Sequence, residues 1–100
     1  MNLSQDELKQ VETYARLYFD LRSVAILLDK DIYLFKNEYF KEGALYRAYQ
    51  RGVLQTEITL RQKMFELAKK GVLPAIQVVN NYLPGGLSDG FPIGKKGLKE

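Results

Sequence analysis

The stretch from Ala44 to Lys70 places the strongest constraint on what this chain can fold into. It contains no proline and is rich in Leu, Ala, Gln, Arg, Lys and Glu, residues that lose little side-chain freedom in a helix. A single helix of that length is about 40 Å long at about 1.5 Å per residue, long for a chain of this size. Gly52 lies inside it at a cost of about 1 kcal/mol relative to alanine. Such a glycine predicts either a kink or the close approach of another backbone. Leu45, Tyr49, Val53, Leu60, Met64 and Leu67 form one apolar stripe, interrupted by Thr56, and Leu54, Ile58, Phe65 and Ala68 form a second. Two stripes need cover on more than one side. In a chain of 100 residues the rest of the sequence supplies only part of that cover. A partner chain is therefore expected, as small domains often gain stability by oligomerising.

Before the long helix, Ser4-Gln5-Asp6-Glu7 matches the capping box, and helix is expected from about Ser4 to Phe19. Leu8, Val11, Ala15 and Tyr18 make its inward stripe, widened by Tyr14, Leu17 and Leu21. Asp20 can cap a short helix from Leu21 to Leu28. Its Val24-Ala25-Ile26-Leu27-Leu28 run is apolar nearly all round and is expected to be buried between neighbours. Asp29 or Asp31 can cap a third helix, to about Glu42, with Ile32, Phe35 and Tyr39 inward and Leu34 and Phe40 close by. Gly43 is expected to stop it through a positive φ. After the long helix, Gly71 is a natural end, and Pro74 suits the first turn of a fifth helix over 74–83. Residues 84–100 hold five glycines and two prolines, and read as a flexible tail.

The predicted fold is all-α. A helix-turn-helix-like three-helix unit (residues 1–43) precedes a long helix and a short helix forming an oligomerisation hairpin (residues 44–83), followed by the tail. Tyr14, Tyr18, Tyr39 and Tyr49 fall at core spacing, leaving Tyr33 and Tyr46 open to another role. The corner Asp20–Gly43 has the outline of a helix-turn-helix. It can be a DNA-contacting unit or a purely structural corner. Tyr33, Lys36, Asn37 and Lys41 are its candidate outward residues, and Asn and Lys can both meet base edges or phosphates. The helix also carries Asp31, Glu38 and Glu42, which repel phosphate.

Net charge is +3, unevenly spread. Residues 20–43 carry four basic and five acidic groups, whereas residues 44–71 carry six basic and two acidic. Arg47 and Arg51, four apart on one helical face, are the natural partners of the corner in any shared grip on DNA. The chain has no cysteine and no histidine, which removes disulfides, the usual structural zinc sites and the commonest general base. No phosphate loop and no convincing carboxylate pair exists, so neither catalysis, a cofactor nor a metal is expected. The polar N-terminus does not read as a signal peptide and no apolar run approaches the length of a membrane span, so a soluble, intracellular protein is expected.

Three pieces in order carry a resemblance. They are AILLDKDIYLFKNEYFKEGALYRAYQRG (25–52), LRQKMFELAKKG (60–71) and PAIQVVNNYL (74–83). Together they resemble the small terminase subunit of tailed double-stranded DNA bacteriophages and prophages, in which a helix-turn-helix precedes a Y-x-A-Y-x-x-G segment, a helix ending in ELAKKG and a short helix beginning near PAI. The resemblance implies a non-enzymatic, ring-like homo-oligomer in the bacterial host cytoplasm. It would recognise viral double-stranded DNA and recruit and regulate the large terminase subunit, which supplies ATPase and nuclease activity. Its DNA-contacting residues would be Tyr33, Lys36, Asn37, Lys41, Arg47 and Arg51. Its oligomer interface would be formed by Leu54, Ile58, Phe65, Leu67, Ile76 and Val79, and its tail would meet the large subunit or DNA. This chain departs from the family in its acidic reader helix and its short length. Other readings of the same residues are a dimeric helix-turn-helix transcriptional regulator and a structural adaptor with no nucleic-acid role.

Overall fold

A computed structural model describes residues 1–82; the sequence reading of the tail lies outside them. Those residues form five helices: α1 (Gln5–Arg16), α2 (Leu21–Leu27), α3 (Ile32–Phe40), α4 (Ala44–Lys69) and α5 (Leu73–Tyr82). The architecture is all-α, with no strand among the described residues. None of these helices is long and apolar enough to cross a membrane. The chain divides into two compact units, and the division falls inside α4, between Glu57 and Ile58.

In the first unit, helix starts follow their caps. The Ser4 hydroxyl accepts the Glu7 N–H at 3.0 Å while Glu7 Oε1 accepts the Ser4 N–H at 2.9 Å, a complete capping box. Asp20 accepts the Ser23 N–H at 2.8 Å, and Asp31 rather than Asp29 caps α3 through the Leu34 N–H at 3.0 Å. Each cap satisfies an amide that has no partner within the helix.

Helix ends differ from expectation, and for one reason. Tyr18, Asp29 and Glu42 all adopt left-handed backbone (φ 65°, 58° and 58°). After α1, the Phe19 N–H reaches the Tyr14 carbonyl and the Tyr18 N–H the Ala15 carbonyl; after α2, the Lys30 and Asp29 N–H groups do the same to Ala25 and Ile26. These are Schellman ends, which close the helix without glycine. α1 therefore stops at Arg16, short of Phe19. At the end of α3, Glu42 makes the reversal expected of Gly43, whose carbonyl instead accepts the Arg47 N–H at 3.0 Å and opens α4.

The core of this unit is Val11, Val24, Ala25, Phe35, Leu45 and Ala48, with Leu8, Tyr14, Leu28, Ile32, Tyr39 and Tyr49 packed around it. Gly52 is buried where α4 crosses α1, and α4 is continuous there. A Cβ on Gly52 would collide with the Glu12 carbonyl oxygen and stand 2.8 Å from the Ala15 Cβ, so close approach is the reason for the glycine. α4 also satisfies the end of α1. Thr56 Oγ1 donates to the Arg16 carbonyl at 2.5 Å, and the Tyr49 hydroxyl to the Phe19 carbonyl at 2.7 Å. That contact accounts for the threonine interrupting the apolar stripe.

Several expected core residues lie outside. Only Val24 and Ala25 of α2 are fully buried, while Ile26 and Leu27 are 56% and 49% exposed. A helix of seven residues packed on its neighbours hides one side, and the rest of its apolar surface stays in water. Leu17, Tyr18, Leu34 and Phe40 are likewise exposed.

The second unit, as described, is the α4–α5 hairpin. The Val72 N–H bonds the Leu67 carbonyl and the Gly71 N–H the Ala68 carbonyl, with Gly71 at φ 88°. Pro74 stands second in α5, where no backbone donor is needed. Ala68, Ala75 and Val79 are buried, flanked by Met64, Phe65, Leu67, Ile76 and Tyr82. The Phe65 and Tyr82 rings meet edge to face at 6.4 Å, and the Arg61 guanidinium lies 4.4 Å over the Tyr82 ring.

Candidate nucleic-acid interface

The turn at residues 28–31 fixes which face of α3 is presented. Asp29 supplies the left-handed step often given to glycine, and Asp31 starts α3 immediately afterwards. Phe35 is then fully buried and Ile32 and Tyr39 face the core. Residues 33, 36, 37, 40 and 41 recur at helical spacing on the opposite side, and all five are exposed. Tyr33, Lys36, Asn37 and Lys41 are thus brought together on one stripe, with Tyr33 79% exposed. Phe40, 69% exposed, stands in the middle of it.

Lys41 is partly committed, since its Nζ lies 3.3 Å from Glu38 Oε1. That bond is the main cause holding the Glu38 carboxyl below the usual range, with the chain's amino terminus 3.4 Å away as a second partner. Glu38 is therefore engaged, while Asp31 and Glu42 are exposed. Lys36 borders a hollow of about 540 Å³ lined by Asp20, Leu21, Arg22, Phe40 and Tyr49. Asp20 stays ionised there, held low first by the Ser23 N–H. Burial pushes the Tyr49 hydroxyl up, so it remains a protonated donor.

Arg47 and Arg51 face another hollow. They line a space of about 350 Å³ with Gln5, Leu8, Lys9, Glu12 and Ala44, between α1 and the start of α4. Arg51 Nε bonds Glu12 Oε1 at 3.0 Å, which is the main cause lowering the Glu12 pKa. Gln55 Nε2 donates to the other Glu12 oxygen at 2.9 Å, and Arg16 bonds Gln55 at 3.0 Å. Arg51 is thus tied to its own chain, leaving Arg47 and Lys9 as the cations of that hollow without an ion pair among the described residues. Of the six candidate DNA-contacting residues, Arg47 and Arg51 line the hollow beside α1 and Lys36 the hollow beside α2.

Of the expected interface residues, Leu54 and Ile58 are 55% and 56% exposed, one turn apart on α4. Phe65, Leu67 and Ile76 are half-buried around the hairpin core. Val79 is fully buried inside that core, so it belongs to the hairpin's own packing and offers no surface to a partner.

Arg22 and Lys9 were not singled out by sequence reasoning. Arg22 meets Lys36 only because α2 packs on α3, and Lys9 meets Arg47 only because α1 packs on α4. Phe40 could have been found, because its spacing from Tyr33, Lys36 and Asn37 already puts it on their stripe. No protein-family model, no curated protein and no solved structure matches this chain.

Proposed function

We propose that this chain is a non-catalytic DNA-binding oligomer of the small-terminase type. In the host cytoplasm it recognises viral double-stranded DNA and recruits and regulates the large terminase subunit during genome packaging. The observation that carries the DNA-binding part is the α2–α3 corner, in which the left-handed Asp29 and the Asp31 cap present Tyr33, Lys36, Asn37 and Lys41 on one exposed stripe. The exposed Leu54 in the first unit and Ile58 in the second support assembly, since each gains from a partner surface that removes it from water. Assembly also compensates for modest charge per chain, because several chains on one DNA add their contacts. The packaging role rests on the order of the three resembling pieces.

Light scattering together with duplex binding across a salt series tests the proposal. The expected result is a mass of several chains and an affinity that falls steeply with salt, as phosphate contacts release counterions. A mass of one chain with no duplex binding at low salt rejects it. A mass of two chains with protection of a short palindrome replaces it with a dimeric regulator.

A further inference from the structure

The α3 stripe holds more than phosphate binding requires. Its order is Tyr33, Lys36, Asn37, Phe40, Lys41, so exposed aromatic rings alternate with basic and amide groups on one helical face. A phosphate backbone is gripped by cations and gains nothing from a phenyl ring left in water. Phe40 is moreover held in a definite pose, because Tyr39 meets it edge to face at 5.4 Å and 82°. Beside it lies the hollow walled by Leu21, Phe40 and Tyr49 and edged by Arg22 and Lys36. Neither cation has a carboxylate within salt-bridge distance among the described residues; Asp20 in the same hollow caps α2 through the Ser23 N–H and keeps its negative charge, which Arg22 and Lys36 offset at longer range.

An apolar wall with two cations to one carboxylate at its rim suits a ligand that carries a flat, weakly polar body and an anionic link together. We infer that this stripe takes unpaired nucleotides, the bases against Phe40 and Tyr33 and the phosphates against Arg22 and Lys36. Aromatic platforms combined with a positive groove are how single strands are held without sequence reading. The spacing favours splayed bases. Tyr33 and Phe40 are seven residues apart, about 10 Å along the helix axis. That exceeds the roughly 3.4 Å step of a stacked strand, so one duplex step cannot serve both rings. The inference deepens the proposed function and rests on it: the DNA engaged by α3 is single-stranded or locally opened.

The test measures fluorescence anisotropy of the full chain with a homothymidine strand and with a mixed-sequence duplex of equal length, over a range of salt. The strand is expected to bind more tightly than the duplex. Phe40→Ala and Tyr33→Ala should each weaken strand binding about tenfold while leaving its salt dependence unchanged. Arg22→Gln and Lys36→Gln should weaken it and lower the salt slope by about 0.7 each. All four side chains are exposed, and circular dichroism confirms that each variant folds. Tighter binding to duplex, with Phe40→Ala neutral, overturns the inference and leaves the proposed function standing. If Phe40→Ala lowers the mass of the assembly without changing DNA affinity, the stripe is a protein contact and the inference fails. Loss of both ligands in the unmodified chain rejects the proposed function itself.

Discussion

Residues 1–57 and the α4–α5 hairpin meet the same demand, hiding apolar stripes, with unequal means. The first unit closes on Phe35, Leu45, Val11 and Val24, capped at three helix starts and tied by α4 side chains to the end of α1. The hairpin closes on two alanines and a valine. Small side chains let helices approach closely, but each removes little apolar area from water. Leu60, Val72, Leu73 and Val78 accordingly stay exposed. The first unit thus closes on large side chains and the hairpin on small ones, while both leave apolar residues in water, among them Leu17, Ile26 and Phe40 in the first and Leu60, Leu73 and Val78 in the second.

The sharpest way to break this comparison is Phe35→Ala. Emptying that site should cost about 3–5 kcal/mol, read from chemical denaturation. Val79→Ala in the hairpin should cost clearly less, and equal costs would mean the two cores are of the same weight. Next comes Gly52→Ala. Alanine is the better helix former by about 1 kcal/mol, yet its methyl strikes the α1 backbone, and a net loss of about 1–3 kcal/mol is expected. A gain in the denaturation midpoint would show that α1 and α4 are not held together as described.

A change of opposite sign is expected at Glu42. Its φ of 58° disfavours a side chain, so Glu42→Gly should stabilise the first unit by about 1 kcal/mol. Smaller still is the double change Leu54→Ser with Ile58→Ser. Both side chains are exposed, so the chain's own stability should move by only about 0.5 kcal/mol per site. The mass by light scattering should nevertheless fall to one chain, and an unchanged mass removes this surface from the assembly.

Acid sharpens the contrast least, though its direction is clear. Glu7 is held below its ordinary 4.5 chiefly by the hydrogen bond from Lys30, whose Nζ lies 2.8 Å away, and Glu12 chiefly by Arg51. A carboxylate with a depressed pKa in the folded state contributes stability above its unfolded value, and loses it as pH falls through the folded one. The thermal midpoint of the first unit should therefore drop below about pH 4.5, and Glu7→Gln should flatten that drop.

Much of this was legible in order along the chain. The Ser4 box and the Asp20 cap need only a side chain and an amide three residues on, so local spacing identifies them. The inward face of α3 and the Gly71 stop are equally local. Left-handed ends at Tyr18 and Glu42 were not legible, because neither residue type announces that conformation, and the packing of the following helix selects it. Nor could spacing tell that Ile26 and Leu27 lie in water, since burial depends on how many neighbours surround a helix.

By itself, then, the sequence determined the five helices, most of their caps and the outward placement of Tyr33, Lys36, Asn37 and Lys41 though not of Phe40, all properties of contacts within a few residues. Only the tertiary structure decided that Gly52 serves a close crossing rather than a kink. It also assigned Val79 to the hairpin's own core, placed Arg22 and Lys36 on one hollow, and placed Arg47 and Arg51 with Lys9 on another. Each of those outcomes depends on which helices meet, and residues tens of positions apart carry no spacing rule that says so.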